Sequence, residues 1–493
     1  MRRIRKRAGW TAAALSVIAT TLAVPAVAQP ESGDRPASAS AIDWRDCADA
    51  DFKQMQCGTM RVPIDRAHPG SGNLTLALVR RPAEDRAHRQ GTLLLNDGAG
   101  GSSIEQLRLA MRIGLPKFAG DMTRKFDLVA VDPRGVGHST PIVCGEEPVP
   151  AGVSHSPRSK EAFDALVSAN RAFAEDCTRR NGPLTEHVDL TSTARDFEAV
   201  RIALGERQLN WYGIHYSTLL GRTYAALHPG RLRTMVLDTA LDDTGSPLRR
   251  TVQEAVTAET AFNRFAAWCA ASADCALHGK DAAAEYDALV ARADRDPIRT
   301  GGTAHQPLTG EDIREATQDY LTLAGHTWPD LAKAIILAQQ GDGTEFTREP
   351  DNTLDPVQVQ VPACLDNARP VRTLGQLTDL QKELARVSPH LGGAVRSYKA
   401  IAGCLGWPVP AVPVKAGAPV PGAPPALVLQ STHQALAPYQ AGAALAAQLP
   451  GSVVLAREGD DYSMFLASQC VRDATNRYLT TLALPAPSTT CAT

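Results

Sequence analysis

The sequence predicts an α/β protein: a mostly parallel sheet flanked by helices, with a helical cap inserted into it. Three features carry that expectation. Short apolar runs of β type alternate with helix-like runs in the first half of the chain, the pattern of a parallel sheet covered on both faces. From about Thr244 to Val357 the texture becomes alanine-rich with helical periodicity and no strand-like runs. After the Pro/Gly/Ala-rich connector at 408–425, strand patterning returns.

The elements follow in order. Leu74–Arg80, Gly91–Asn96 and Asp127–Asp132 read as strands, the last ending at Pro133-Arg134-Gly135. Leu209–Tyr212 runs into Gly213, and a helix-like stretch from Thr218 to Leu227 stops at His228-Pro229-Gly230. Arg233–Asp238 is a further buried strand. Beyond the connector, Ala426–Gln430 and Ser452–Ala456 are strands separated by the helical Tyr439–Leu449. The expected division is a signal peptide at 1–28, a flexible lead-in at 29–42, core at 43–243, cap and connector at 244–419, and core again at 420–493. No period of 20–50 residues repeats, which excludes solenoids and propellers.

Five basic residues within Met1–Arg7 precede an apolar run from Ala12 to Val24, and Ala26-Val27-Ala28 follows. That is the pattern of a secretory signal peptide, too short and too rich in alanine and threonine for a membrane span. No cysteine follows the cleavage site, so a lipid anchor is not expected. Loss of residues 1–28 leaves 46 basic against 53 acidic residues, a net charge of −7 in place of −2. An acidic chain of this kind is not an electrostatic nucleic-acid binder. Ten cysteines suit an oxidising, extracellular location. Cys47 and Cys57 lie ten apart and form a natural local pair, while the absence of Cys-x-x-Cys argues against redox catalysis.

The segment Asn210-Trp211-Tyr212-Gly213-Ile214-His215-Tyr216-Ser217-Thr218 is a strand running into Gly-x-x-x-small and then a helix, the frame of a nucleophile elbow. Further landmarks are Asn96-Asp97-Gly98-Ala99-Gly100-Gly101-Ser102, Asp132-Pro133-Arg134-Gly135-Val136-Gly137-His138-Ser139, Asp238 with Asp242, Cys404-Leu405-Gly406-Trp407-Pro408 and the Cys470…Cys491 stretch. On these motifs the chain resembles the secreted actinobacterial tripeptidyl-aminopeptidase and proline-iminopeptidase-like group of α/β-hydrolases, over residues 43–493. The resemblance implies the α/β-hydrolase fold. It also implies that Cys144 pairs with Cys177, Cys269 with Cys275, Cys364 with Cys404 and Cys470 with Cys491, a connectivity that sequence alone does not prove.

The same resemblance sets this chain apart. Where the family carries its serine, acid and histidine, this sequence has His215, Gln434 and Tyr462. Acyl transfer needs an activatable hydroxyl, a base and an acid that orients the base. Gln434 cannot stabilise an imidazolium by charge, and a phenol with a pKa near ~10 is a poor base at neutral pH. In the oxyanion loop, which with Tyr216 lines the pocket at Gly98, Ala99 and Gly100, Asp97 replaces a glycine and opposes any bound oxyanion.

Substitutes are few. Ser217 reads as a capping hydroxyl at a helix start, or as a displaced nucleophile. His433 and Asp461, beside the lost acid and histidine positions, are conceivable partners of His215 as base or metal ligands, although no metal-binding spacing supports a metal. His215 should be accessible at the pocket floor. The expectation is a secreted, monomeric, non-hydrolytic homologue without cofactor or metal, binding a peptide or small ligand. The alternative is an active serine exopeptidase, or an isomerase or cyclase using His215 with a relocated site.

Overall fold

The computed structural model describes residues 41–492 apart from 97–100, 113–119, 146–147, 151, 302–306, 323–326, 348–354 and 415–416. The expected signal peptide, most of the lead-in, and Asp97, Gly98, Ala99 and Gly100 of the oxyanion loop therefore lie outside the described residues.

Among the described residues ten strands make one sheet: β1 (Asp43–Asp46), β2 (Gln56–Pro63), β3 (Asn73–Arg81), β4 (Thr92–Asn96), β5 (Asp127–Val131), β6 (Leu209–Ile214), β7 (Leu232–Asp238), β8 (Leu427–Ser431), β9 (Val453–Arg457) and β10 (Thr490–Cys491). Their spatial order is β1-β2-β3-β5-β4-β6-β7-β8-β9-β10. The pairs β1–β2, β2–β3 and β3–β5 are antiparallel, and the others are parallel. The seven strands read from sequence are present; β1, β2 and β10 are additions.

Strand alternation divides the core. Leu93, Leu95, Tyr212, Ile214 and Val236 face one side, where Val471, Tyr478 and Leu479 cover them. Leu94, Trp211, Met235 and Leu237 face the other, against Phe197, Leu220 and Tyr224. Flanking helices are α1 (Ser103–Arg112), α2 (Asp121–Lys125), α3 (Lys160–Asn181), α4 (Leu190–Ala203) and α5 (Tyr216–Leu227). Between β7 and β8 the helices are α6 (Pro247–Ala271), α7 (Ala282–Ala293), α8 (Gly310–Thr322), α9 (Trp328–Gln339), α10 (Pro356–Asp366), α11 (Leu374–Val387) and α12 (Arg396–Gly403). Phe262, Phe265, Tyr286 and Trp328 centre a separate apolar cluster among them. The chain closes with α13 (Tyr439–Gln448), α14 (Met464–Ala467) and α15 (Gln469–Thr481). Among the described residues no helix is long and apolar enough to cross a membrane.

All ten cysteines are bonded, in the pairs Cys47–Cys57, Cys144–Cys177, Cys269–Cys275, Cys364–Cys404 and Cys470–Cys491. This is the scheme expected above.

One buried ion pair fixes the turn after β5. Arg134 donates from Nε and Nη2 to the two Asp196 oxygens at 2.7 Å each, and to the carbonyls of Ile64, His187 and Pro63. Lysine cannot reproduce that planar fork. Arg134→Lys is expected to destabilise the fold by about 2–4 kcal/mol, since it leaves Asp196 and several carbonyls under-satisfied in the interior. Urea unfolding checks it; a loss under about 0.5 kcal/mol would show the network to be dispensable.

Candidate functional site

Strand β6 reaches the site through a close approach that only glycine permits. A Cβ on Gly213 would lie 2.6 Å from Trp211 Nε1 and 2.7 Å from the carbonyl oxygen of Ser217, so α5 can turn back over the strand only without a side chain there. His215 then takes φ 54° and ψ −117°, an unfavourable conformation for a residue with a side chain. Its N–H donates to the Asp238 carbonyl at 2.9 Å, and its own carbonyl accepts from Thr218 N at 2.9 Å. Those bonds over-determine the turn. The strained strand-to-helix elbow is therefore present and carries an imidazole.

Half-buried His215 has its pKa pushed down to about 3, first by burial and then by the Arg396 guanidinium. The ring is neutral at physiological pH and is a weak base. Tyr462 is its ring neighbour, with centroids 6.4 Å apart. The loop that carries Tyr462 is held from below by Asp238, which is fully buried. The Asp238 carboxylate accepts from Met464 N at 3.0 Å, Phe465 N at 3.3 Å and Tyr212 Oη at 2.8 Å.

Gln434 is 1% exposed, and both ends of its amide are engaged. Its oxygen accepts from Leu436 N at 2.6 Å and Ala437 N at 2.7 Å, and its nitrogen donates to the Thr322 carbonyl at the end of α8 at 3.3 Å. The side chain ties its own turn to the helices above. It is not spent on orienting an imidazole.

The proposed substitutes do not converge. Ser217 lies in the first turn of α5, and its buried hydroxyl donates to Asn96 Oδ1. His433 is bonded to Glu458 at 3.1 Å on the surface, and Asp461 sits 3.3 Å from Arg457. Each has its own local charge partner, so the conceivable His215, His433 and Asp461 constellation is not formed. Adjacent Asp460 is claimed by Arg264 of α6, at 2.5 and 2.6 Å.

The landmark segment Asp132–Ser139 forms a tight turn after β5. Asp132 accepts from Ile104 N and His138 N, at 3.0 and 2.9 Å, and from Ser102 Oγ. The His138 ring bonds Glu105 at 2.7 Å. A Cβ on Gly137 would lie 2.4 Å from Asp132 Oδ2, so this turn also requires glycine.

Two clusters were not legible in the sequence. The Tyr216 hydroxyl donates to Asp366 Oδ2 at the end of α10, and Asp366 Oδ1 accepts from Leu190 N at 2.9 Å. The two partners are 150 residues apart, so no local spacing could have joined them. Burial raises the Asp366 pKa to about 8, and the nearby Asp189 adds to the rise. In the second, His155, Glu311 and Glu315 offer ligand atoms within 4.8 Å of one another. Lys399 bonds Glu315 at 2.7 Å and His155 lies 3.2 Å from it, an ion-pair network that links loop, α8 and α12. The Glu311-x-x-x-Glu315 spacing, one helix face at i and i+4, was the available signal.

Asp366 yields a pH prediction. A carboxyl whose folded pKa lies above the unfolded 3.8 gives stability that is full below pH 3.8 and is lost as pH rises through about 8. Asp366→Asn removes that slope. Melting temperatures from pH 5 to 9 should fall more steeply for the natural chain than for the variant; parallel curves would contradict it.

Comparison with known proteins places this geometry. Residues 389–491 match a family model described as TAP-like protein. The chain is 30% identical to a tripeptidyl aminopeptidase of Streptomyces coelicolor, over 92% of this chain and 87% of that protein. It is 32% identical to carboxylesterase B of Mycobacterium tuberculosis, over 96% and 95% of the two chains. The chain belongs to the tripeptidyl-aminopeptidase-like family of α/β-hydrolases. A second tripeptidyl aminopeptidase, from Streptomyces lividans, is 29% identical over 99% of this chain and 98% of its own. Among solved structures, the proline iminopeptidase of Mycobacterium smegmatis aligns at 13% identity, covering 85% of this chain and 97% of its own with a TM-score of 0.38. Membership of the family rests on the sequence relatives and the fold on the strand order. Within such a fold, activity is decided by the site residues.

Proposed function

We propose that this chain is a secreted, non-hydrolytic member of the family that binds a peptide or small ligand beneath its helical cap. One observation carries the reading: the elbow presents the imidazole of His215 where acyl transfer needs a hydroxyl. With its pKa pushed to about 3, that ring is a poor proton acceptor. Gln434 and Tyr462 support the reading, the first by its engagement with Leu436, Ala437 and Thr322, the second by supplying a phenol beside His215. Peptide as the ligand class follows from the tripeptidyl aminopeptidase relatives, and secretion from the leader pattern of residues 1–28.

The test uses the chain from Gln29 onward and a tripeptide p-nitroanilide. Isothermal titration should give saturable binding, while release of p-nitroaniline stays at the background rate. His215→Ala should change affinity without changing that rate. Release at tens per second, abolished by His215→Ala, would make the chain an enzyme and overturn the reading.

A further inference from the structure

A second site lies away from the elbow. Helices α2 and α15 pack side by side over one face of the sheet and leave between them a groove of about 640 Å³. One face of α15, with Val471, Thr475, Tyr478 and Leu479, is buried. The face at the i, i+3, i+4, i+7 and i+11 positions, Gln469, Arg472, Asp473, Asn476 and Thr480, lines the groove. Arg124 and Lys125 line it from α2, and none of the lining residues belongs to the elbow.

The charge of this groove runs against that of the chain. Arg124, Lys125, Arg472 and Arg477 face two acids, Asp121 and Asp473, in a chain of net charge −2. Arg124 and Lys125 reach Asp121 only loosely, at 3.6 and 3.7 Å. Neither Arg472 nor Arg477 has a carboxylate within 4.0 Å among the described residues. Arg472 is also held in place: its Nη1 donates to the carbonyls of Phe465 and Leu466, at 3.0 and 2.8 Å. Its Nε donates to Gln469 Oε1 at 3.1 Å, so the fixed guanidinium leaves Nη2 to meet an anion and loses little side-chain freedom in doing so. Asn476 adds an amide along the same wall, while the Thr480 and Thr481 hydroxyls donate to the carbonyls of Asn476 and Arg477.

We propose that the groove between α2 and α15 binds an anion carrying two or more phosphate groups. Four cations against two acids give the groove an excess of positive charge, which disfavours cationic ligands. Cations on both walls, in a volume far beyond one phosphate, favour a ligand that carries several. The proposal is independent of the reading of the elbow, because the two sites share no residue.

The probe is inorganic tripolyphosphate, titrated calorimetrically into the chain from Gln29 onward. Saturable binding is expected at 20 mM salt, weakening at 0.3 M as screening grows. Charge reversal at two exposed positions, Arg124→Glu with Arg477→Glu, should weaken binding at least ~10-fold while the melting temperature holds. Arg207→Glu with Lys382→Glu, both outside the groove, carries the same change in net charge and should bind as the natural chain does. Vesicles containing cardiolipin, whose headgroup carries two phosphates, form a second arm: sedimentation lost in the double variant assigns the phosphates to a lipid headgroup, while binding of free tripolyphosphate alone assigns a soluble source. Binding of neither probe, or equal weakening by the charge-matched control and by the groove variant, would overturn the proposal.

Discussion

Introducing His215→Ser, Gln434→Asp and Tyr462→His together should convert this chain into a serine hydrolase. The expected gain is at least ~10³-fold in ester or tripeptidyl-anilide hydrolysis over the natural chain, with labelling of residue 215 by a fluorophosphonate. The backbone frame is in place. The elbow already holds residue 215 at φ 54°, Gly213 already permits the close turn, and Asp238 already anchors the loop that brings residue 462 beside it. His215→Ser alone should gain under about tenfold, because Tyr462 offers no effective base. The three changes should therefore be strongly non-additive, as groups that act as one unit are. Initial rates for the single, double and triple variants check this. A triple variant that folds, yet neither labels nor hydrolyses, would show that more of the site than these side chains has been lost.

Asp238→Ala should be the most damaging single substitution near the site, at about 3–5 kcal/mol. It would remove the interior acceptor of the Met464 and Phe465 amides and of the Tyr212, Thr239 and Ser463 hydroxyls. Asp238→Asn keeps an acceptor and should cost less, about 1–3 kcal/mol. The loss is expected in both denaturant midpoint and ligand affinity, because the Tyr462 loop is released with its anchor. Urea unfolding followed by far-UV circular dichroism, with calorimetry at 10 °C for binding, separates the two effects. A loss below about 1 kcal/mol for alanine would mean that water replaces the carboxylate, and the anchoring role would fall.

The sequence was most informative where burial was two-sided. Strands β4, β6 and β7 are near-continuous apolar runs, because parallel strands under helices are covered on both faces. In contrast, β1 reads Asp-Trp-Arg-Asp and β2 alternates polar and apolar, since an antiparallel edge leaves one face wet. The two-residue β10 forms where Cys491 is tied to Cys470 and lies along β9; no local pattern announces it. The elbow was legible because Gly213 and the following helix are contiguous. What Ser217 and Gln434 bind was not, since Asn96 and Thr322 lie more than a hundred residues away. A hydroxyl at a helix start satisfies a cap by local geometry alone, so the capping expectation for Ser217 was reasonable. Its hydroxyl meets the Asn96 amide oxygen at the end of β4, a contact that local geometry does not announce.

The most direct measurement is intact mass spectrometry of the natural chain, from Gln29 onward, after incubation with a fluorophosphonate at pH 7.5. The account predicts an unchanged mass, alongside a control serine hydrolase that is fully modified. A stoichiometric adduct mapped to any serine would mean that an activated hydroxyl exists, and the non-hydrolytic reading would be wrong.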